Sequence, residues 1–450
     1  MARRLPILAF DIARTTLTMT LASTAQTPRP RIAVIGSGIA GLTVAWLLRE
    51  RYAVDLIEAH PQPGMGAFTV TLQHGGVERV VDVPTRVFCA GYYPHLYALF
   101  ARIGVTLEST DHAAAYVGPH DALYFQYANR TVGRRSLSYL PWAALRRVEA
   151  IPLALAGWRF FRQAARDAQD QRWREHSFAA YLQRRGVSER FVQQVLMPTL
   201  CVICTCPPDD VGRYPADLLL NYLSSGVMQQ GVVRAAEGIA DVVARLTDGV
   251  QVHCGTPVQA VRPTAKGVEL QRADGRTDTY AQVVLAVQAQ QAAAMLDESH
   301  AAVPLLRAVR WAASDMVVHT DPDYAPAVSA PVRYRVVEPQ AMPEVSVDMA
   351  RSFPSYRSDS GLFQTWNPQG DPAPDQCLAR FSFTRPVVTH ASRKAMAALR
   401  DRQGGGGLWF AGAYVADRVP LLESAVASAL DVAAGLGAPA PWTTASAAVG

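Results

Sequence analysis

The chain has 450 residues, half of them hydrophobic and 18% charged, which excludes global disorder and is long enough for two or three domains or one large body with an inserted lobe. Its net charge of +5 rests almost wholly on arginine, Lys266 and Lys394 being the two lysines, and no compact basic motif singles out a nucleic-acid partner. Six cysteines in this length exclude a disulfide scaffold, and no apolar run reaches bilayer-spanning length.

Residues 1–30 read as a disordered leader. Arg3 and Arg4 before Leu5–Phe10 imitate a signal peptide, but Asp11 and Arg14 interrupt the apolar stretch, so a cytoplasmic protein is expected. Met19 is a second candidate start. Arg31–Ile35 is a β-branched run ending in glycine, a buried parallel strand; Ile39–Arg49 has helical spacing; Ala53–Glu58 is a second strand ending in an acid. Together they form a βαβ unit. Strands joined through His74-Gly75-Gly76 are expected over 68–88, then a helix from Tyr93 to Ile103 capped by Gly104.

Residues 140–200 read as helical, Pro207-Pro208-Asp209-Asp210 as a break, and 215–224 as a helix opened by Pro215. Val250–His253 alternates, and Gly267–Gln271 pairs with Thr277–Tyr280 across Ala273-Asp274-Gly275. Val283–Ala286 is a further buried strand. Residues 300–400 read as Pro-rich and loop-rich, with strand pieces at 315–320, 332–337 and 378–384. A turn at Gly404–Gly407, a strand at Leu408–Gly412 and a helix over Leu422–Leu436 close the fold.

Gly36-Ser37-Gly38-Ile39-Ala40-Gly41 fits G-x-G-x-x-G between a strand and a helix. Gly36 permits the tight turn, Gly38 lets backbone approach a pyrophosphate, and Gly41 lets helix pack on strand; the helix start offers N–H groups to phosphate. Glu58, followed by Ala59, stands where a ribose diol would be bound. The acid disfavours NADP and leaves NAD and FAD both open.

Pro63-Gly64-Met65-Gly66 resembles the second glycine motif of flavin amine oxidases and their desaturase relatives. The hairpin and strand from Val250 to Ala286 resemble the part of those proteins that rejoins the FAD domain, and Phe410–Tyr414 through Leu422–Val426 resembles their closing motif. Leu196-Met197-Pro198 and Val233–Gly238 match the general layout. Asp82–Phe88, Tyr92-Tyr93-Pro94 and His319-Thr320-Asp321 resemble most closely a bacterial branch of predicted FAD-binding oxidoreductases.

The resemblance covers most of 31–437 and implies an α/β fold: a Rossmann-like FAD domain from 31–90, 235–300 and 400–437, a mixed α+β substrate domain from 91–234 and 301–399, and a tail over 438–450. It implies non-covalent FAD held by Gly36, Gly38, Ile39, Ala40, Gly41, Glu58, Ala59, Gly64, Met65, Gly66, Arg86, Val258, Ala286, Gly412, Ala413, Leu422, Glu423 and Ala425. Tyr414, Tyr93 and Trp366 are candidate pocket-lining residues.

Three departures weaken the likeness to amine oxidases proper: Ala413 where an acid is common, Leu421 where half of an aromatic cage stands, and no lysine placed to bridge to flavin N5. The resemblance then implies hydride transfer between a largely apolar, lipid-like small molecule and flavin N5, as a desaturase, oxidase or double-bond isomerase, with molecular oxygen or another acceptor. Amine oxidation and a non-catalytic flavin-binding partner protein are the alternatives.

No metal site is expected: Cys201-x-x-Cys204-x-Cys206 lacks a second ligand pair and reads as small buried fillers, with a redox dithiol as the alternative. His95 and His319 read as structural histidines rather than bases. Trp158, Phe160 and Phe161 among arginines read as core packing on an amphipathic helix. A membrane-touching or fatty-acid-carboxylate surface is the alternative.

Overall fold

A computed structural model describes residues 29–132, 135–226, 231–325, 330–338 and 340–442. The expected leader, apart from Arg29 and Pro30, and the end of the tail lie outside the described residues. The chain opens as its pattern predicts, with strand β1 over Arg31–Ile35, helix α1 over Ile39–Leu48 and strand β2 over Ala53–Ile57. Ile32 to Ile35 are buried, as a strand covered on both faces requires.

Five parallel strands form the central sheet, in the order Gln251–His253, β2, β1, Gln282–Leu285 and Leu408–Phe410. Val34 is in register with Leu56 on one side and Val284 on the other. Every residue of α1 is buried, because the helix lies on the sheet and packs against both Gly238–Thr247 and the closing helix Leu422–Gly435. A hydrophobic stripe on one face would not suffice there; Ile39-Ala-Gly-Leu-Thr-Val-Ala-Trp-Leu-Leu48 is apolar nearly all round.

The antiparallel hairpins also form between the predicted segments. Phe68–His74 pairs with Val77–Val83, and Val268 to Gln271 pair with Tyr280 to Thr277. Pro94–Ile103 is a helix closed by Gly104 in the left-handed region. Pro207-Pro208-Asp209-Asp210 ends one helix but begins another, Pro208–Arg213, because proline is tolerated in a first turn.

Residues 300–400 are more regular than their composition suggests. Arg310–His319 pairs along its whole length with Cys377–Val387, and Phe363–Trp366, Glu344–Asp348 and Val332–Arg335 follow in the same sheet. Val332–Arg335 then runs parallel to Ala114–Val117, and two further antiparallel strands complete a sheet of eight. Most of the prolines lie in the connections, and Pro386 sits on the edge strand, where its missing N–H costs least. His390–Arg400 is a helix that the sequence reading missed, capped reciprocally by Thr389 and Ser392.

A buried ion cluster ties these parts together. Arg234, 3% exposed, donates to Glu108 at 3.0 Å and Ser355 at 2.7 Å and reaches Asp82 at 3.5 Å. Asp82 in turn accepts the Ile239 N–H at 2.9 Å at the start of Gly238–Thr247. Among the described residues no helix is long and apolar enough to cross a membrane.

Candidate active site

The fingerprint glycines have distinct surroundings. A Cβ on Gly36, whose φ is +99°, would meet Val287 at 2.8 Å and the Ala286 carbonyl at 2.9 Å. On Gly41 it would fall 1.9 Å from the Gly36 carbonyl oxygen. These two are fixed by packing. On Gly38 a Cβ would meet no protein atom within 4 Å, because this residue borders an open cavity.

That cavity, about 740 Å³, lies beyond the carboxyl ends of β1 and β2, where an open α/β sheet changes direction. Gly38, Ile39 and Ala40 line it at one end with Glu58. Glu58 Oε2 accepts from the Ser37 N–H at 2.8 Å and hydroxyl at 2.6 Å, and Oε1 accepts from His60 N–H at 2.9 Å. A carboxylate has about four acceptor positions, so one remains for a ligand hydroxyl. The Ser37 hydroxyl also accepts from Gly64 N–H at 3.0 Å, which joins the first glycine turn to the second.

Gly64, Met65, Gly66, Arg86, Ala286, Gly412, Ala413, Tyr414, Leu422 and Ala425 line the cavity as well. Residues separated by nearly 400 positions thus share one space. Gly412 has φ +153°, and its N–H donates to Ser428 in the closing helix at 2.9 Å.

Other expected residues lie elsewhere. Ala59 is exposed and Val258 half-buried, both outside the cavity lining. Glu423 is fully buried, and its two oxygens accept the N–H groups of His95 and Leu96, each at 3.1 Å, capping Pro94–Ile103. Tyr93 sits behind the cavity against Phe88 and Tyr92. Trp366 is one layer back, its ring 5.6 Å from Phe383, which does line the space. His319 is buried between Thr365 at 2.8 Å and the Asp321 N–H at 3.2 Å, and burial lowers it to about 4, so it is a neutral structural residue.

Three lining residues carry a buried polar atom with no protein partner: Arg86 Nε, Trp311 Nε1 and Tyr414 Oη. Such atoms are rare in a finished core, and seven more occur away from the cavity among the described residues. Burial raises the Tyr414 phenol, so it stays protonated and can donate. Arg86 gives one N–H to the Gly66 carbonyl and faces Arg385 across the same space. Desolvation first, and repulsion from Arg385 second, lower the Arg86 guanidinium well below its usual range. Glu58 is the only carboxylate among the described lining residues.

Sequence reasoning missed Arg385, Trp311, Phe68 and Phe383. Phe381, Phe383 and Arg385 follow a period of two, a signal within one strand, but strand pairing alone decides which cavity they meet.

The comparisons with known proteins bear on the fold. Residues 34–103 match the family model described as an NAD(P)-binding Rossmann-like domain. None of the curated proteins matches the sequence. The fold is similar to that of putrescine oxidase solved with putrescine (TM-score 0.64, 13% identity, covering 91% of this chain and 99% of that one). It is also similar to cyclohexylamine oxidase from Brevibacterium oxydans (0.60, 16% identity, 91% and 100% covered). A fatty acid isomerase from P. acnes that produces CLA is comparably similar (0.62, 11% identity, 90% and 98% covered). This is the amine-oxidase-like fold.

In the amine-oxidase-like fold adopted here, Cys201, Cys204 and Cys206 fill a buried helix end, and burial pushes all three thiols up. A reactive dithiol requires the opposite shift. No group of three or more potential metal ligands occurs among the described residues.

Proposed function

We propose that this chain is an FAD-dependent oxidoreductase acting on a largely apolar, lipid-like small molecule. The observation that carries the cofactor is the cavity running from Gly38 and Glu58 to Gly412 and Leu422, bordered at Gly38 by backbone with empty space above it. N–H groups at the start of α1 would hold the phosphates, Glu58 a ribose hydroxyl, and the Gly412-Ala413 turn with the start of the closing helix the ring end. FAD supplies a two-electron acceptor there. The binding part is drawn from 31–90, 235–300 and 400–437, and the substrate part from 91–234 and 301–399.

The substrate class rests on the aromatic part of the cavity wall. Phe68, Phe383, Trp311 and Tyr414 give it an aromatic surface that favours apolar groups and excludes water. Tyr414 would donate a hydrogen bond within the pocket, while Tyr93 and Trp366 would hold its wall from behind. Amine oxidation is the second reading, favoured by the names of two of the similar proteins. Arg86 and Arg385 in the lining oppose a protonated amine, and Glu58 is the one carboxylate among the described lining residues to offset them.

The purified protein is expected to be yellow and to release one FAD on denaturation, identified by mass. Gly38→Val should abolish the colour while leaving thermal unfolding of the apoprotein nearly unchanged, since its side chain meets only the ligand's space. Stoichiometric flavin in the folded variant would sink the assignment. Hydrogen peroxide released from amines but not from unsaturated fatty acids would favour the second reading.

A further inference from the structure

The helix Ala150–Asp167 has two apolar faces, and the core accounts for one. Leu153, Gly157, Phe160 and Ala164 are buried, repeating at the spacing of a single stripe. Ile151, Leu155 and Trp158 form a second stripe at the same spacing and are 48%, 50% and 56% exposed. Before this helix the chain leaves Trp142 75% and Val148 91% exposed, and the neighbouring edge strand Arg135–Tyr139 exposes Leu137 and Tyr139. The short helix Trp142–Leu145, the long helix and this edge strand all pack around the same strand, Leu123–Val132, which gathers the exposed groups in one neighbourhood.

Arginine dominates the charge around this face. Arg146, Arg147, Arg159, Arg162 and Arg166 surround it, and Arg162 lies over the Trp158 ring at 4.5 Å. Arg146, Arg159 and Arg166 have no ion pair among the described residues. The nearby acids are already engaged, Glu149 by Arg190 and Asp167 by Arg185.

We propose that this face docks on the surface of an anionic phospholipid bilayer. Tryptophan rings prefer the headgroup boundary, aliphatic side chains enter just below it, and arginines pair with lipid phosphates while covering apolar surface with their stems. A second copy of the chain fits less well, because a two-fold contact on this face would set arginines against arginines. The docking is interfacial, with no spanning element required, and it stands whether or not the cavity holds a flavin.

Flotation of the full-length protein with vesicles tests the proposal. The wild type should float with mixed phosphatidylcholine and phosphatidylglycerol vesicles and much less with phosphatidylcholine alone, the binding weakening as salt is raised. Trp142→Glu with Trp158→Glu should lower partitioning by roughly tenfold or more, with an unchanged melting curve. Arg159→Glu with Arg162→Glu should do the same without touching an apolar group. Four results would overturn it: no flotation with anionic vesicles, equal binding to neutral ones, undiminished binding by both folded double variants, or a wild-type dimer split by them.

Discussion

A methyl group on Gly41 would sit 1.9 Å from the Gly36 carbonyl oxygen and 3.1 Å from the Ala286 side chain. Elsewhere in a helix, replacing glycine by alanine gains about 1 kcal/mol. Here the sign reverses, because the contact is with rigid backbone in the first turn. Gly41→Ala is expected to destabilise the fold by at least about 2 kcal/mol in denaturant titration; a neutral result would mean that the turn is looser than described. The roles of Gly36 and Gly41 and the setting of Glu58 were legible in the sequence because a strand, a turn and a helix fix them within thirty residues. Arg385 and Trp311 were not. Their place follows from the pairing of Arg310–His319 with Cys377–Val387, a contact between distant segments that no local pattern encodes.

Between elements, the Arg234 cluster is a buried constraint. Its guanidinium meets carboxylates from the hairpin and from the strand Leu107–Thr110, and lies 5.1 Å from the centre of the Tyr356 ring. Arg234→Met would leave Asp82 and Glu108 with an uncompensated charge in the interior, and should cost on the order of 3–5 kcal/mol. Burial already holds the Asp82 carboxyl above its usual value, so Asp82→Asn in the Met background should recover part of that loss. Chemical denaturation of the single and double variants measures both, and no recovery would show that the charge is not the cause. The parallel strands were readable as short apolar runs ending in glycine or acid. The antiparallel strands Glu344–Asp348 and Phe363–Trp366 were hidden, because each is brief and flanked by proline-rich connections that dominate composition.

Across the whole molecule, Glu423 joins the helix Leu422–Gly435 to the helix Pro94–Ile103. Burial pushes its carboxyl up to about 7, against the Leu96 and His95 N–H groups and Arg418, which pull it down. The folded chain therefore holds this proton more tightly than the unfolded one, whose carboxyl titrates near 4.5. The resulting stability is complete below the lower value and is lost as pH rises through the upper, about 3 kcal/mol over the interval. His95, lowered by burial and then by Arg418, contributes with the opposite sign in any variant that retains it. The unfolding free energy of the wild type minus that of Glu423→Gln should thus fall from about pH 5 to about pH 8; parallel curves would remove Glu423 as the cause. The central sheet has a consequence for biogenesis. Its edge strand, Leu408–Phe410, and the helix over α1 both follow every other element of the sheet in chain order, so the cavity is enclosed only once residues 408–435 have been made. Occupancy of that cavity is then a finishing event, and a product terminated before Leu408 would lack Gly412, Tyr414 and Leu422 from its wall.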